Sequence, residues 1–290
     1  MRRGAAFLLV VALGVAAVYF SERRPAATSV STNAVVNVVA DAQRDVSRLP
    51  ARVTRISDSE EVRIGSELAE YYRRAVGELT PEESALQAYL GTVGRKLAAG
   101  THRRLPFTFH LIPDRSLVNA FALPGGHVYF GRGFLDLMTS EDEIAGVLGH
   151  EIEHIDHYHC AERVQVEARL RKLSLGIVSE LLQLPIAVWQ AGYSKEQELE
   201  ADREGTSLAV MASYSPYGAL RICETMARLN EEYVVRARSP RQELSQLAIE
   251  GILGYFRSHP FPSERVAQIK ALIEQQHWED LKELKPLPSQ

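Results

Sequence analysis

Cysteine is nearly absent from this chain, with two in 290 residues. That scarcity excludes a scaffold held together by disulfides and a metal cluster built from thiolates. Positive charge is not in excess either, because 33 Lys and Arg stand against 37 Asp and Glu, for a formal net charge of -4. Nucleic-acid binding needs a basic surface, so no nucleic-acid partner is expected. Internal repeats and low-complexity tracts are also lacking, which predicts an ordinary globular chain.

The N-terminus carries an uncharged, largely apolar run over residues 4–20, directly after Arg2 and Arg3. A basic start before an apolar core is typical of a secretory signal or a signal anchor. As a helix, the run would rise about 26 Å, slightly less than the roughly 30 Å hydrocarbon core of a bilayer. We therefore expect residues 1–24 to be a cleaved signal peptide or a retained membrane anchor. The rest of the chain is then expected outside the cytoplasm, in the periplasm of the cell envelope.

The remaining chain divides into a tether and one domain. Residues 25–56 are rich in Ala, Val, Ser and Thr without a sustained period, which predicts a linker. The predicted folded domain covers 57–280, and 281–290 are expected to form a C-terminal tail. The membrane is a predicted partner only through an uncleaved N-terminal segment. Whether Cys160 and Cys223 form a disulfide in an exported protein is left open by the sequence.

Helical patterns dominate the predicted domain. A stripe of apolar residues predicts a helix over 61–79. Three further helices are expected to begin at capping boxes, after Thr80, Ser140 and Ser194. Alternation predicts a strand over 106–112, and two short strands are expected on either side of a Pro-Gly-Gly turn. The fold class is therefore α+β and mainly helical, with a small sheet.

A His-Glu-x-x-His sequence lies on the helix expected after Ser140, at His150, Glu151 and His154. Residues four apart project from one helix face, so two imidazoles can meet at one metal ion while the carboxylate faces a bound water. Zinc accepts such ligands and lowers the pKa of bound water to about 7. A neighbouring glutamate can take that proton and pass it to a leaving amine. The pattern predicts a catalytic zinc site with Glu151 as general base.

A catalytic zinc keeps three protein ligands and one open position, so a third ligand is needed. His157 could in principle reach the same helix face, although we expect His157 and His159 to be surface or hydrogen-bonding residues of one long helix. The alternative is a carboxylate from the helix after Ser194. Glu198 and Asp202 are four residues apart there and share a face. Glu198 would bind the metal, and Asp202 would accept a hydrogen bond from a ligand histidine.

Three stretches add a wider pattern to these motifs: residues 119–130, 159–163 and 258–265. In this order, the motifs and stretches resemble the zinc metallopeptidase family (gluzincins) that includes the CAAX prenyl endopeptidase and the bacterial HtpX protease. The resemblance covers 61–273 and is nearest to the periplasmic β-barrel assembly-enhancing protease-like members, without their helical-repeat domain. It implies a zincin-type metallopeptidase domain with a small β-sheet beside the active-site helix.

The resemblance also implies roles for individual residues. Glu151 is implied as general base and acid, and Asp202 as the residue that orients a ligand. His259 is implied to lie near the metal, as an extra ligand, a gate or a stabiliser of the transition state. From the residues alone, a histidine that caps a helix before a proline turn is the alternative for His259. One Zn2+ per chain is implied, with the ligands His150, His154 and Glu198.

Substrate recognition is expected at an exposed edge strand, which would pair with the backbone of an extended peptide. An interior strand is the alternative. The predicted function is that of a zinc-dependent endopeptidase of the cell envelope, with unfolded or misassembled polypeptides as substrates. A non-catalytic or latched chaperone or adaptor that uses the same groove is the alternative function. The expected edge strand consists of His127, Val128, Tyr129 and Phe130.

Overall fold

The computed structural model describes residues 56–170, 192–236, 255, 258–260 and 262–287. The predicted signal or anchor and almost all of the predicted linker lie outside these residues. Helices and one three-stranded sheet make up the described chain, which confirms the predicted α+β, mainly helical fold class. The helices are α1 (Asp58–Val76), α2 (Pro81–Ala98), α3 (Arg132–Leu135), α4 (Glu141–Asp156), α5 (His159–Leu170), α6 (Lys195–Met211), α7 (Pro216–Arg236) and α8 (Pro262–Gln275). The strands are β1 (Thr108–Ile112), β2 (Ala120–Leu123) and β3 (His127–Gly131).

Side-chain caps fix where the helices begin. At Thr80, Ser140 and Ser194, the side chain accepts a hydrogen bond from the backbone N–H three residues later. The side chain of that later residue accepts one from the backbone N–H of the cap, which completes a capping box. The three helix starts predicted from these patterns are confirmed. Helix α1 begins three residues before the predicted position because Ser57 caps it.

The sheet has the strand order β1-β3-β2. Strand β1 runs parallel to β3, with Phe109 opposite Val128. Strand β2 runs antiparallel to β3, with Ala122 opposite Val128. The turn between β2 and β3 uses Gly125 and Gly126 at φ angles of 80° and 105°, a left-handed region that glycine enters without strain. The predicted Pro-Gly-Gly hairpin is therefore present.

The strand predicted to be an exposed edge is the central strand of the sheet. The hairpin gives β3 one neighbour and β1 pairs along its other side, so no backbone edge of β3 is free. All five residues of β3 are buried. The prediction of an edge strand is therefore wrong, and the interior alternative is correct, for His127, Val128, Tyr129 and Phe130.

Helix α4 is enclosed by the rest of the domain. Every residue from 142 to 156 is buried, and the helix packs against α2, α6 and α7. Its contact with α6 is made between the two backbones. A Cβ on Gly149 would lie 2.6 Å from the Gly205 oxygen, and a Cβ on Gly205 would lie 2.7 Å from the His150 nitrogen. Because only glycine permits this approach, α6 lies directly against the turn of α4 that carries His150.

The chain beyond α8 returns to the N-terminus of α4. The Lys285 carbonyl accepts a hydrogen bond from the Glu141 N–H, and the Lys285 N–H donates one to Asp142. Ser140 and Pro286 form an isolated antiparallel bridge. Part of the segment predicted as a tail is thus hydrogen-bonded to the start of α4.

Both cysteines are buried and free, so the disulfide left open by the sequence is not formed. The Cys160 sulfur lies 3.2 Å from the Tyr193 hydroxyl. Cys223 belongs to an apolar cluster with Ile269 and Ile273 on α8. Each cysteine therefore acts as a small packing residue in its own part of the domain.

None of the helices in the described ranges combines the length and the apolar character needed to cross a membrane. The predicted N-terminal anchor falls outside those ranges and stays a prediction.

Candidate metal centre

Four buried side chains from three parts of the chain converge at one point. His150 and His154 come from α4, Glu198 comes from α6, and His259 comes from the segment before α8. One nitrogen or oxygen atom of each lies within 4.8 Å of those of the other three. The three predicted metal ligands are thus brought together, with His259 as a fourth member of the group.

The positions of the three predicted ligands follow from α4 and its contact with α6. The Nε2 atoms of His150 and His154 are 3.0 Å apart, as their spacing on one helix face allows. The Glu198 carboxylate oxygens lie 3.6 Å from His150 Nε2 and 3.5 Å from His154 Nε2. The backbone contact at Gly149 and Gly205 brings α6 close enough for this reach.

His259 lies between the other members of the cluster and Glu151. Its Nδ1 is 3.2 Å from His150 Nε2 and 3.2 Å from Glu198 Oε1. Its Nε2 is 3.3 Å from Glu151 Oε1. Burial lowers the pKa of His259, but the charges of Glu198 and Glu151 outweigh burial and raise that pKa above its usual value. His259 thus lies between two carboxylates, with Nδ1 toward Glu198 and Nε2 toward Glu151.

Asp202 and Arg265 hold the outer side of His150. His150 Nδ1 lies 2.9 Å from Asp202 Oδ1, and Arg265 donates two hydrogen bonds of 2.7 Å to the Asp202 carboxylate. Arg265 Nη1 also lies 3.2 Å from Glu198 Oε2. Burial raises the pKa of Asp202, but Arg265 and the hydrogen bonds hold it below its usual range. Sequence reasoning assigned Arg265 no role, although two buried carboxylates on one helix call for a cation.

His159 lies on the outer side of His154. Its Nδ1 is 2.9 Å from His154 Nδ1, and its Nε2 is 3.2 Å from Glu200 Oε2 on α6. Only 3% of His159 is exposed. The expectation of one long helix is wrong, because α4 ends at Asp156 and α5 begins at His159. Between them, Tyr158 has a left-handed backbone with φ 63°.

The hydrogen bonds around the two α4 histidines indicate a bound cation. His150 Nδ1 lies 2.9 Å from Asp202 Oδ1 and 3.3 Å from Arg265 Nη2; with its proton on the nearer carboxylate side, a neutral His150 has its lone pair on Nε2. Glu200 accepts from His159 Nε2, so His159 accepts at Nδ1 and a neutral His154 also has its lone pair on Nε2. Two lone pairs then face each other across 3.0 Å, which is favourable only with a cation between them. Burial holds the pKa of His154 well below its usual range, which favours the neutral imidazole that a metal ion requires.

A zinc ion fits this donor set in chemistry and in size. Two imidazoles with one carboxylate are a known ligand set of catalytic zinc. Bonds of about 2.0–2.2 Å in a tetrahedron put neighbouring donor atoms roughly 3.3–3.6 Å apart. The separations among the donor atoms of His150, His154 and Glu198 run from 3.0 to 3.6 Å. The residues present therefore fit the single Zn2+ that the sequence predicts.

Glu151 is buried beside the cluster. Its Oε1 faces His259, and its Oε2 has no hydrogen-bond partner among the described residues. A buried carboxylate oxygen without a partner is unfavourable, and a catalytic task is one reason for which proteins retain such a group. The carboxylate lies where a general base next to the metal is expected.

The outer edge of β2 faces the cluster. The Ala120 carbonyl oxygen lies 3.4 Å from His259 Nε2, and the Ala122 carbonyl oxygen lies 3.6 Å from Cys160 Sγ. Strand β3 covers the other side of β2. In the described sheet, the edge beside the candidate metal centre therefore belongs to β2 and not to residues 127–130.

Residues 84–273 match the family described as Peptidase family M48. The match covers more than half of the chain and includes all four converging residues. It also includes Glu151, Asp202 and Arg265, so the whole described centre lies inside the matched region.

Several proteins of similar sequence carry protease names. The beta-barrel assembly-enhancing protease of Yersinia pestis is 26% identical over 224 residues, which are 70% of this chain and 42% of that protein. The beta-barrel assembly-enhancing protease of Escherichia coli K12 is 25% identical over 230 residues, 71% of this chain and 44% of that protein. The mitochondrial metalloendopeptidase OMA1 of Schizosaccharomyces pombe is 32% identical over 146 residues, 46% of this chain and 41% of that protein. The chain thus spans less than half the length of each of these relatives.

Proposed function

The chain belongs to peptidase family M48, and we propose that it is a zinc-dependent endopeptidase of the cell envelope that hydrolyses peptide bonds in unfolded or misassembled proteins. One observation carries this proposal. The Nε2 atoms of the two α4 imidazoles are 3.0 Å apart, and Glu151, whose Oε2 has no hydrogen-bond partner among the described residues, is buried beside them. That combination suits a metal ion that needs a neighbouring base, which is the requirement of peptide hydrolysis by zinc.

Each residue of the proposed site has a separate task. A zinc ion bound there would activate a water molecule and polarise the peptide carbonyl group. Glu151 takes a proton from the attacking water and delivers it to the leaving amine. Asp202 keeps His150 in the tautomer with its lone pair on Nε2, and Arg265 keeps Asp202 charged. The proposed metal ligands are His150, His154 and Glu198.

His259 acts as a latch in this proposal, because it fills the position that a catalytic zinc leaves open. Its Nδ1 lies 3.2 Å from donor atoms of two ligands, and its Nε2 lies 3.3 Å from Glu151. Its contacts place it between Glu198 and Glu151, and as a neutral imidazole it would supply a fourth ligand to a bound zinc. A His259 that stays in the cluster would compete there with the substrate carbonyl and the water. Catalysis then requires His259 to leave the cluster.

The proposed substrate-binding strand is β2. An extended peptide that pairs with its outer edge would run beside the metal and be held by backbone hydrogen bonds, with little dependence on sequence, once the Ala120 carbonyl has separated from His259 and the Ala122 carbonyl from Cys160. The contact between the Ala120 carbonyl and His259 Nε2 supports a link between the two events. When His259 leaves, it frees both the metal and the first carbonyl of the edge.

An envelope location is proposed from two observations. The apolar run at 4–20 after two arginines is typical of export. Two of the relatives named above are called beta-barrel assembly-enhancing proteases. We propose that the domain works in the periplasm on polypeptides that have failed to fold or assemble, either tethered to the membrane or released from it.

The test compares four forms of the full-length chain in detergent: wild type, Glu151→Gln, His259→Ala and the double variant. Bound zinc and casein cleavage are measured for each. We expect one zinc per chain in all four and faster cleavage by His259→Ala than by the wild type. Adding Glu151→Gln should slow cleavage by about 10²- to 10⁴-fold, the usual contribution of general acid–base catalysis. Equal rates for His259→Ala and the double variant would overturn the proposal.

The latched chaperone or adaptor is the second candidate, and the closed set of four donor groups favours it. It predicts stoichiometric zinc, no cleavage by any of the four forms, and unchanged suppression of casein aggregation by Glu151→Gln. Slower cleavage by His259→Ala than by the wild type would instead give His259 a part in the reaction and exclude the latch. The cleavage rates of the wild type and of Glu151→Gln would then show whether the chain is a protease that uses Glu151.

A further inference from the structure

Two buried imidazoles touch on the side of His154 that faces away from the cluster. The Nδ1 atoms of His154 and His159 are 2.9 Å apart, which is a hydrogen-bonding distance. The exposed fractions of the two residues are 0% and 3%. Only one proton can lie between the two nitrogens, so one ring donates and the other accepts.

The contact of His159 Nε2 determines which of the two histidines donates the hydrogen bond between their Nδ1 atoms. This Nε2 lies 3.2 Å from Glu200 Oε2, and a carboxylate can only accept. His159 therefore donates from Nε2 to Glu200 and accepts at Nδ1 from His154.

We propose that His159, held by Glu200, is the positioning residue of His154: it fixes the tautomer and the ring orientation that present His154 Nε2 to the metal. This inference rests on the proposed zinc site. Metal-bound histidines regularly donate their second ring N–H to a group that orients them, and here that group is another histidine.

Carboxylates of α6 thereby orient both α4 histidines, one by direct contact and one through His159. Asp202 contacts His150 Nδ1 directly, at 2.9 Å. Glu200 lies only two residues from Glu198, about 200° around the helix, so it cannot face the metal with Glu198. His159 spans the gap between Glu200 and His154.

The break after α4 makes this arrangement possible. In a continuous helix, a residue five positions after His154 would point about 140° away from it. The left-handed backbone of Tyr158 ends α4 and turns His159 back toward His154. The Tyr158 ring packs 3.7 Å from the guanidinium of Arg103, which also donates a hydrogen bond to the Ile155 carbonyl. The strained residue is thus held by contacts on both sides, as is common near functional sites.

The test measures zinc affinity of the purified full-length chain by competition with a chromophoric chelator, and the visible spectrum after substitution with Co2+. His159→Ala removes the acceptor and should weaken zinc binding about 10- to 100-fold. His159→Asn can place an amide oxygen near the position of Nδ1, so it should retain affinity within about threefold of the wild type. His157→Ala is the matched control, because His157 lies 3.6 Å from Glu200 Oε1 without contacting His154 through any described hydrogen bond. It should leave affinity unchanged.

Glu200→Ala is a second test that does not depend on whether His159→Ala folds. The Glu200 side chain is 38% exposed, so its removal should leave the fold intact. It should weaken zinc binding several-fold and alter the Co2+ spectrum while the chain stays folded. Wild-type affinity in both His159→Ala and Glu200→Ala would overturn the inference and leave the proposed function standing. Absence of zinc from the wild-type chain would overturn the proposed function itself. Equal losses in His159→Asn and His159→Ala would show that packing, and not the acceptor, holds His154.

Discussion

Gly205→Ala tests whether the contact between α4 and α6 builds the metal centre. The added Cβ would lie 2.7 Å from the His150 nitrogen and 2.8 Å from the Gly149 carbonyl carbon. Both atoms belong to backbone, so no side chain can turn away to make room. Ordinary contact begins near 3.4 Å, and the helices must therefore separate by about 0.7 Å.

Two effects on the free energy of unfolding oppose each other. Overpacking of a close contact costs about 1–3 kcal/mol. Alanine in place of glycine inside a helix gains about 1 kcal/mol. The net loss should lie between about 0 and 2 kcal/mol, which the fold survives. The zinc site is more sensitive, because its bonds tolerate deviations of about 0.2 Å. A shift of about 0.7 Å should take Glu198 away from the α4 histidines and weaken zinc binding at least tenfold.

Gly91→Ala is the matched control, since Gly91 also lies inside a helix. The atom nearest to its added Cβ is the flexible end of the Arg95 side chain, at 2.8 Å. This variant should gain up to about 1 kcal/mol in urea unfolding without metal and bind zinc as the wild type does. If Gly205→Ala gained as much stability as Gly91→Ala and kept wild-type zinc affinity, the packing argument would be refuted.

Two further predictions concern buried charge. Arg265→Met removes the cation that pairs with Asp202 and Glu198 and should cost about 3–5 kcal/mol in urea unfolding of the metal-free chain, and a loss under about 1 kcal/mol would contradict this. Burial lowers the pKa of His110 and of His127 to about 4, below the unfolded value near 6.5. The free energy of unfolding should therefore fall as pH decreases from about 6.5 to about 4, by about 3 kcal/mol for each fully shifted histidine. His110→Phe, which keeps an aromatic ring stacked on Tyr129, should reduce that fall by about half, and an unchanged pH dependence would contradict the assignment.

Features written in local sequence were predictable. A capping box needs only a hydroxyl and a glutamate or glutamine three residues apart, so the starts of α2, α4 and α6 follow from spacing alone. The spacing of His150 and His154 also fixes a shared helix face. Glu198 and Asp202 could be named as partners for the same reason, because four residues again bring two side chains to one face.

Features that depend on distant contacts were not predictable. Strand β3 is the centre of the sheet because β1, which precedes β2 in the chain, pairs along its other side. Nothing in the sequence of residues 127–130 indicates that second neighbour. No glycine or proline near Tyr158 indicates the helix break in the sequence. The break depends on Arg103, about 55 residues earlier, which packs against the ring and binds the end of α4. The expectation that His159 is a surface or hydrogen-bonding residue of one long helix was therefore right about its hydrogen bonds and wrong about the surface and the helix.

The attachment of Lys285 to α4 has a consequence for the order of assembly. Asp142 and Lys285 are 143 residues apart in the chain, yet their hydrogen bond lies at the first turn of the helix that carries His150 and His154. Contacts so distant in sequence form late in folding, because a long loop must first be closed. The first turn of α4 therefore lacks this contact until Lys285, 143 residues further along the chain, has been added and has folded back. If the domain is exported as proposed, the helix that carries His150 and His154 is incomplete while its own unfolded chain is still beside it as a potential substrate.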